Sequence, residues 1–425
     1  MSYYSSWHIP GFAEHYRESG MGAIARCTLP EFPGDGSGKV IDDFFKANGV
    51  HARVVGSDRG PVVTRYILEL TCDTERISRI EALRRDIGLK LGVGSSKVYI
   101  GETLWDGRVY LSLEVPNIDR VTVPSGCVLP YGGGSGLRVC FGVDTAGKPY
   151  TVDVAKAPHM LVAGQSGSGK SVFLNSLICG VVLNYHPSRA RVIIVDPKGT
   201  EFNAFSGHPS VGGLAHEGRY RENVPFGTDD AVYVVETLVE IMKLRMAFFR
   251  SLQVNNVDDA NKIIENSDSP IPFEHDGTRY TICATMPRLM VVIDEFYDLM
   301  VGFGDAFETP LSILAAKARS AGIHLVLATQ RPSADVVRGA LKANLSTRVA
   351  LKVASRTDSQ VIIDRGGAES LCGNGDMLYV GPDGDVPTRL HGCYVTEEDL
   401  DCVRSTGANM VYTGIVQKPE TCYYF

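Results

Sequence analysis

At 425 residues and 44% hydrophobic content the chain is long enough for two or three domains around large buried cores, yet no apolar run approaches the roughly 20 residues of a membrane span. Its 42 Lys and Arg against 49 Asp and Glu give a net charge of −7, which excludes a globally basic nucleic-acid binder and confines any such contact to a local patch or channel. Ten scattered cysteines without a CxxC pair, and an N-terminus with no basic segment leading into an apolar one, argue against a zinc site, a disulfide frame and a secretory leader, and for reduced thiols in a cytoplasmic protein.

Residues 1–38 are expected to form an irregular arm ending in the turn-rich Phe32-Pro33-Gly34-Asp35-Gly36-Ser37-Gly38. A small α+β domain is predicted over 39–125, starting with a short helix at 40–47 and a strand from Gly60-Pro61 through Leu70. A helix follows in which Ile77, Ile80, Ile87 and Leu91 share one face, with Asp73 or Thr74 as its cap and Gly92 just past its end. Two more strands are expected near 98–101 and 109–115. The run Gly132-Gly133-Gly134-Ser135-Gly136 reads as a connector into a strand at 138–142.

The second domain, 126–415, contains short continuous apolar runs at 160–163, 192–195, 289–293, 324–328, 348–353 and 377–380, the pattern of strands buried on both faces. Helical stretches separate most of them, so the expected fold class is α/β with a mostly parallel sheet and right-handed crossovers. The helix expected at 229–250 opens with acidic residues and carries Lys243, Arg245 and Arg250 toward its end, as the helix dipole prefers. Residues 255–286 read as a polar, mobile insertion, and 416–425 as a tail.

Between the apolar run at 160–163 and a helix-compatible stretch lies Gly164-Gln165-Ser166-Gly167-Ser168-Gly169-Lys170-Ser171, a complete phosphate-binding loop in the context it requires. Its glycines let successive N–H groups point at phosphate oxygens, Lys170 supplies a cation for the β- and γ-phosphates of ATP, and the Ser171 hydroxyl is an expected Mg²⁺ ligand. A second acidic strand end delivers Asp294 and Glu295. Asp294 suits the Mg²⁺ shell, and Glu295 is placed to orient or deprotonate the attacking water, which favours hydrolysis over phosphoryl transfer to a small acceptor. A further strand between the two ends in Asp196. The strand ending Ala328-Thr329-Gln330 puts Gln330 where it can contact a γ-phosphate, the alternative being a turn cap before Pro332.

These segments resemble the motor of the FtsK/SpoIIIE DNA translocases. The resemblance runs through 157–164, Val195-Asp196-Pro197-Lys198, 292–300, 316–332, Lys342-Ala343-Asn344, Gly367-Ala368-Glu369-Ser370 and Gly375-Asp376-Met377-Leu378. Arg59-Gly60-Pro61-Val62-Val63-Thr64-Arg65 and Leu113-Glu114-Val115-Pro116-Asn117 are similar to that family's leading domain, so the likeness covers roughly 39–415. It implies a RecA-like P-loop NTPase core behind a small α+β domain, assembled as a homo-hexameric ring with double-stranded DNA through its centre and ATP between neighbouring subunits. Arg319 matches the arginine that reaches a neighbour's γ-phosphate, supplying catalytic charge in trans. Arg331, Lys342 and Arg356 match positions on loops facing the DNA channel, where phosphate contacts are indifferent to sequence and sensitive to salt.

Two departures stand out. Gln360 replaces a second basic residue in the Arg356 loop. Division-associated members also carry N-terminal membrane spans and often end in a winged-helix domain that reads orienting sequences. This chain shows no span and ends at Phe425, so direction, anchoring and site choice are expected to come from elsewhere. The reading is an ATP hydrolase that pumps DNA. A packaging or conjugation ATPase of the wider FtsK/HerA group, a protein-secretion ATPase of the same fold and a non-hydrolysing scaffold are the alternatives. The channel cations favour DNA over peptide, and Lys170, Asp294, Glu295 and Arg319 argue against a scaffold.

Overall fold

The computed structural model describes residues 24, 26–32, 34, 36–94, 97–157, 159–212, 214–216, 219–221, 225–333, 339–382, 384 and 386–408. The small domain runs α1 (Ser37–Ala47), β1 (Ala52–Arg59), β2 (Val63–Leu70), α2 (Ile77–Ala82), α3 (Arg84–Lys90), β3 (Tyr99–Trp105) and β4 (Arg108–Pro116). Its four strands form an antiparallel sheet in the order β1-β2-β4-β3. Tyr66, Leu68, Leu111 and Leu113 of the sheet pack with Ile41, Phe45, Ile80 and Ile87 of the helices into one core. Asp73 and Thr74 do not cap the expected helix. That helix starts after extended Arg76 with no side-chain cap and breaks at Leu83 into two short pieces. β1, not foreseen, is interrupted by a register shift between Val54 and Gly56, where the Trp105 ring lies over the missing side chain of Gly56.

The large domain continues β5 (Arg138–Asp144), β6 (Pro149–Asp153), β7 (His159–Ala163), α4 (Lys170–Asn184), β8 (Ala190–Val195), the ribbon β9 (Leu214–His216) and β10 (Arg219–Arg221), and α5 (Ala231–Leu252). Then follow α6 (Val257–Glu265), β11 (Ile271–His275), β12 (Thr278–Ile282), β13 (Arg288–Ile293), α7 (Phe296–Phe303), α8 (Asp305–Lys317) and β14 (Ile323–Thr329). The rest is α9 (Gly339–Asn344), β15 (Thr347–Leu351), α10 (Arg356–Ile363), β16 (Asp376–Val380), β17 (Thr388–His391) and α11 (Glu397–Ala408). One nine-stranded sheet, in the order β6-β5-β17-β16-β15-β7-β14-β13-β8, organises them.

Alternation along the strands explains the unbroken apolar runs. Met160, Val162, Val326 and Ala328 enter the core roofed by Phe173, Leu174 and Leu177 of α4. Leu161, Ala163, Leu325 and Leu327 enter the opposite core, against Val234 and Leu238 of α5 and Leu311 and Leu314 of α8. Both faces of each strand are therefore buried, as parallel strands require.

Several expectations change. The sheet is mixed: β8, β13, β14, β7 and β15 are parallel, whereas β16, β17, β5 and β6 add antiparallel. The 255–286 segment carries its own folded elements: Phe273 and Ile282 of the β11–β12 hairpin pack with Val257 of α6 and Phe248 of α5. Arg245 does not serve the dipole of α5 from its surface; it is fully buried. Near the N-terminus, Ile24 is buried in the large-domain core with Cys27 and Leu29 against it, while 1–23 and the tail 416–425 lie outside the described residues. Among the described residues no helix is long and apolar enough to cross a membrane, and the cysteines are free thiols.

Candidate active site

The phosphate loop joins the carboxyl end of β7 to the amino end of α4, and backbone geometry dictates its glycines. Gly169 caps α4 at φ 98°, a left-handed conformation, and a Cβ there would collide with the backbone of Gly375. A Cβ on Gly164 would lie 2.6 Å from Ser168 Oγ and 2.7 Å from Leu351 Cβ. Neighbouring strand ends brace the loop: Gln165 N–H donates to Lys352 O (2.9 Å) and Gly375 N–H to Ser168 O (2.9 Å). Ser168 Oγ is buried and has no hydrogen-bond partner among the described residues. A glycine loop ending at a helix amino terminus that no side chain caps, with an unsatisfied hydroxyl inside it, fits a bound phosphate.

Strand order brings the acidic pair beside this loop. β13 carries Asp294 and Glu295 at its carboxyl end, and both carboxylates are buried. Lys170 Nζ, itself buried, pairs with Asp294 Oδ1 and lies 3.2 Å from Glu295 Oε1. Glu295 sits at φ 43° as the cap of α7, an uncommon conformation for a non-glycine residue that turns its side chain toward β14. There its Oε2 accepts the Gln330 N–H at 3.0 Å.

The two carboxyls are tuned apart. Burial raises Asp294 above the usual carboxylate range despite Lys170. Burial pushes Glu295 up as well, but the Lys170 charge, the Gln330 N–H and Lys198 outweigh it and hold it low, so Glu295 stays ionised. An ionised carboxylate beside one that burial pushes toward its neutral form is an arrangement suited to taking up a proton.

Lys198 is the contact the sequence reading left without a role. Asp196 follows β8, the strand paired with β13, and its oxygens accept the Lys198 and Glu201 N–H groups at 3.1 and 3.0 Å. This turn delivers Lys198 Nζ to 3.3 Å from Glu295 Oε1. The signal available in sequence was a lysine three residues past a strand that pairs with the Glu295 strand.

Ser171 and Asp294 are the residues that would hold Mg²⁺. Among the described residues no group of three or more His, Cys, Asp or Glu could hold a metal. Mg²⁺ takes few protein ligands and completes its shell with phosphate oxygens and water, so one hydroxyl and one carboxylate would suffice to hold it.

Arg319 stands apart from all of this. It lies in the turn before β14, at the amino end of a seven-residue strand whose carboxyl end bears Gln330. At about 3.3 Å per residue the separation is roughly 20 Å, beyond the reach of an arginine side chain to its own phosphate loop. Its side chain is exposed and, among the described residues, makes no ion pair and donates only to Lys156 O at 3.4 Å.

The three cations expected to face DNA fall on separate elements. Arg331 follows Gln330 and is exposed, and Arg356 is the exposed first residue of α10. Lys342 on α9 is half-buried and already paired with Asp364 at 2.8 Å, together with Arg348. Gln360 lies exposed on α10.

The sequence matches the FtsK/SpoIIIE family over residues 134–334 and the FtsK alpha domain over residues 35–117. It is 36% identical over 379 residues to the DNA translocase FtsK of Pseudomonas syringae pv. syringae (strain B728a), which covers 85% of this chain and 45% of that protein. The chain thus spans less than half the length of this relative. Among solved structures, the pCW3 conjugation coupling protein TcpA, in its monomer form with ATPgS, superposes with a TM-score of 0.54 at 21% identity, covering 85% of this chain and 96% of that one. The cytoplasmic domain of the Thermomonospora curvata Type VII Secretion ATPase EccC gives 0.53 at 24% identity, covering 66% of this chain and 32% of that one. Both show the P-loop ATPase fold. The matched ranges take in the phosphate loop, the paired carboxylates and the leading domain, and the chain belongs to the FtsK/SpoIIIE family.

Proposed function

We propose that this chain is the motor of an ATP-dependent double-stranded DNA translocase, working as a hexameric ring with nucleotide between neighbours. The observation that carries the reading is the link from Glu295 to the DNA-facing segment. Glu295 accepts the backbone N–H of Gln330, and the next residue is Arg331. A shift of Gln330 and Arg331 on DNA would therefore pull directly on the proton acceptor.

Within the site Lys170 is the shared cation. Its ammonium bridges Asp294 and Glu295, and its passage to a phosphate releases the first carboxylate for metal and the second for water. Mg²⁺, when bound, neutralises charge on the phosphates. Ser168 Oγ and the α4 N–H groups hold oxygens in place, and the Gln330 N–H fixes the Glu295 carboxylate. Arg319, too far from its own site, supplies charge to the adjoining one. Arg331 and Arg356 carry more of the DNA contact than Lys342, whose charge Asp364 shares.

ATP hydrolysis measured with and without long linear double-stranded DNA tests this. Stimulation that weakens as salt rises is expected, because phosphate contacts release counterions. Stimulation absent at low salt, or surviving Lys170→Ala, contradicts the reading.

A further inference from the structure

Arg319 owes its position to a clamp built from segments outside the nucleotide site. The turn Ser320-Ala321-Gly322 follows it, and each carbonyl in that turn is engaged. Ser320 O accepts the Val257 N–H (3.1 Å), Ala321 O accepts Arg245 Nη1 (2.7 Å), and Gly322 O accepts the Leu289 N–H (2.8 Å). Gly322 stands at φ +73°, and a Cβ there would lie 2.9 Å from Val257 Cγ1.

The first N–H groups of a helix have no partner within it. Val257 is the first residue of α6, and Ser320 O supplies the partner its N–H lacks. The helix is fixed in turn: Asn256 caps it through the Asp259 N–H, Asn261 exchanges hydrogen bonds with the Met286 backbone, and Asp258 pairs with Arg288.

Arg245 is the stranger component. It is 0% exposed, its Nε and Nη2 have no hydrogen-bond partner among the described residues, and its one acceptor among them is the Ala321 carbonyl. Burial, with the charges of Arg288 and Arg191, lowers its pKa to about 9. A buried cation with one neutral acceptor costs more in desolvation than it returns, so stability does not account for it. What it does is hold one carbonyl, two residues from Arg319.

We propose that Arg245 and the amino end of α6 at Val257 are positioning residues for Arg319, clamping its turn so that the guanidinium projects toward an adjoining subunit, and that they serve catalysis only across that interface. The inference rests on the reading of Arg319 as acting in trans. It assigns the 255–286 insertion a task in hydrolysis despite its distance from the phosphate loop.

Two variants probe it. Arg245→Met keeps bulk and removes the buried charge. Val257→Pro deletes the N–H at a first helical position, where proline is tolerated and extended Asn256 (φ −154°) can precede it. Each is expected to lower DNA-stimulated ATPase about tenfold or more, in keeping with the worth of a trans arginine, with nucleotide affinity unchanged. Arg245→Met should melt no lower than wild type.

The decisive assay co-expresses each variant with Lys170→Ala, with Arg319→Ala plus Lys170→Ala as reference. A subunit with an intact phosphate loop then meets a neighbour with an intact Arg319 turn. Activity should rise well above the sum of the separate variants in all three mixtures. Rescue of the Arg319→Ala mixture alone overturns the clamp and leaves the trans reading standing. Failure of that reference mixture overturns the trans reading, and the clamp with it. Wild-type ATPase in both single variants also overturns the clamp, and if Arg245→Met does not fold, Val257→Pro decides.

Discussion

Glu295→Gln should slow ATP hydrolysis by roughly 10²–10⁴-fold while leaving nucleotide binding intact, the loss typical of a removed general base. The substitution keeps the shape of the side chain and removes its ability to take a proton. Oε1 lies 3.2 Å from Lys170 and 3.3 Å from Lys198, and Oε2 accepts the Gln330 N–H at 3.0 Å. Those contacts hold the carboxyl below its ordinary range, against burial. It is therefore ionised throughout the physiological range, and the acid limb of its contribution falls below the normal carboxylate titration. Phosphate affinity resides in the loop N–H groups and Lys170, which the variant keeps. Single-turnover hydrolysis alongside equilibrium binding of ATP separates the two. Unchanged hydrolysis would reduce Glu295 to a structural partner of Lys170.

Arg389→Met should destabilise the chain by about 3–5 kcal/mol, because it strands two carboxylates in the interior. Arg389 on β17 is 3% exposed and grips Asp376 of β16 with Nε at 2.9 Å and Nη2 at 2.7 Å, while Nη1 reaches Glu114 of β4 at 3.0 Å. The triad thus ties the small domain to the large sheet. Burial alone would raise Asp376, but the Arg389 charge leads the groups that hold it far below the usual range, and His391 Nδ1 lies 3.2 Å away. A depressed acid contributes stability above its unfolded value near 4 and loses it as pH falls toward the folded value. The deficit of the variant in chemical denaturation should be largest at high pH and shrink as falling pH protonates the stranded Asp376, which burial raises above the ordinary carboxylate range once the Arg389 charge is gone. Adding Glu114→Gln and Asp376→Asn should recover part of it, since no bare charge remains. A variant as stable as wild type at pH 7 would contradict the assignment. Because Asp376 also accepts the Cys372 N–H (2.7 Å) and Gly375 braces Ser168, the loosened loop should weaken nucleotide binding too.

The nucleotide half of the site was legible because phosphate chemistry demands particular residue types at fixed, contiguous spacing. The parallel strands were legible because burial on both faces leaves uninterrupted apolar runs such as 289–293. What escaped depends on partners distant in sequence. Lys198 acquires a role only when β8 pairs with β13 and sets Val195 opposite Ile293. The 255–286 insertion looked polar because its core is shared: Phe273 packs on Phe248 of a preceding helix, ring centroids 5.2 Å apart. Arg245 read as a surface cation because nothing local marks a charge as buried. Lys342 read as free for DNA because Asp364, 22 residues on, meets it only in the fold. The antiparallel half of the sheet escaped because its strands β5 and β17 are joined across most of the domain.

The central claim is that hydrolysis at this site moves the protein along double-stranded DNA. Displacement of a triplex-forming strand from a long linear duplex tests it most directly. Wild-type protein with ATP should strip the third strand, while Lys170→Ala, Glu295→Gln and Arg319→Ala should leave it bound. ATP hydrolysis stimulated by DNA with the third strand untouched would contradict the account, making the chain a DNA-triggered ATPase without travel.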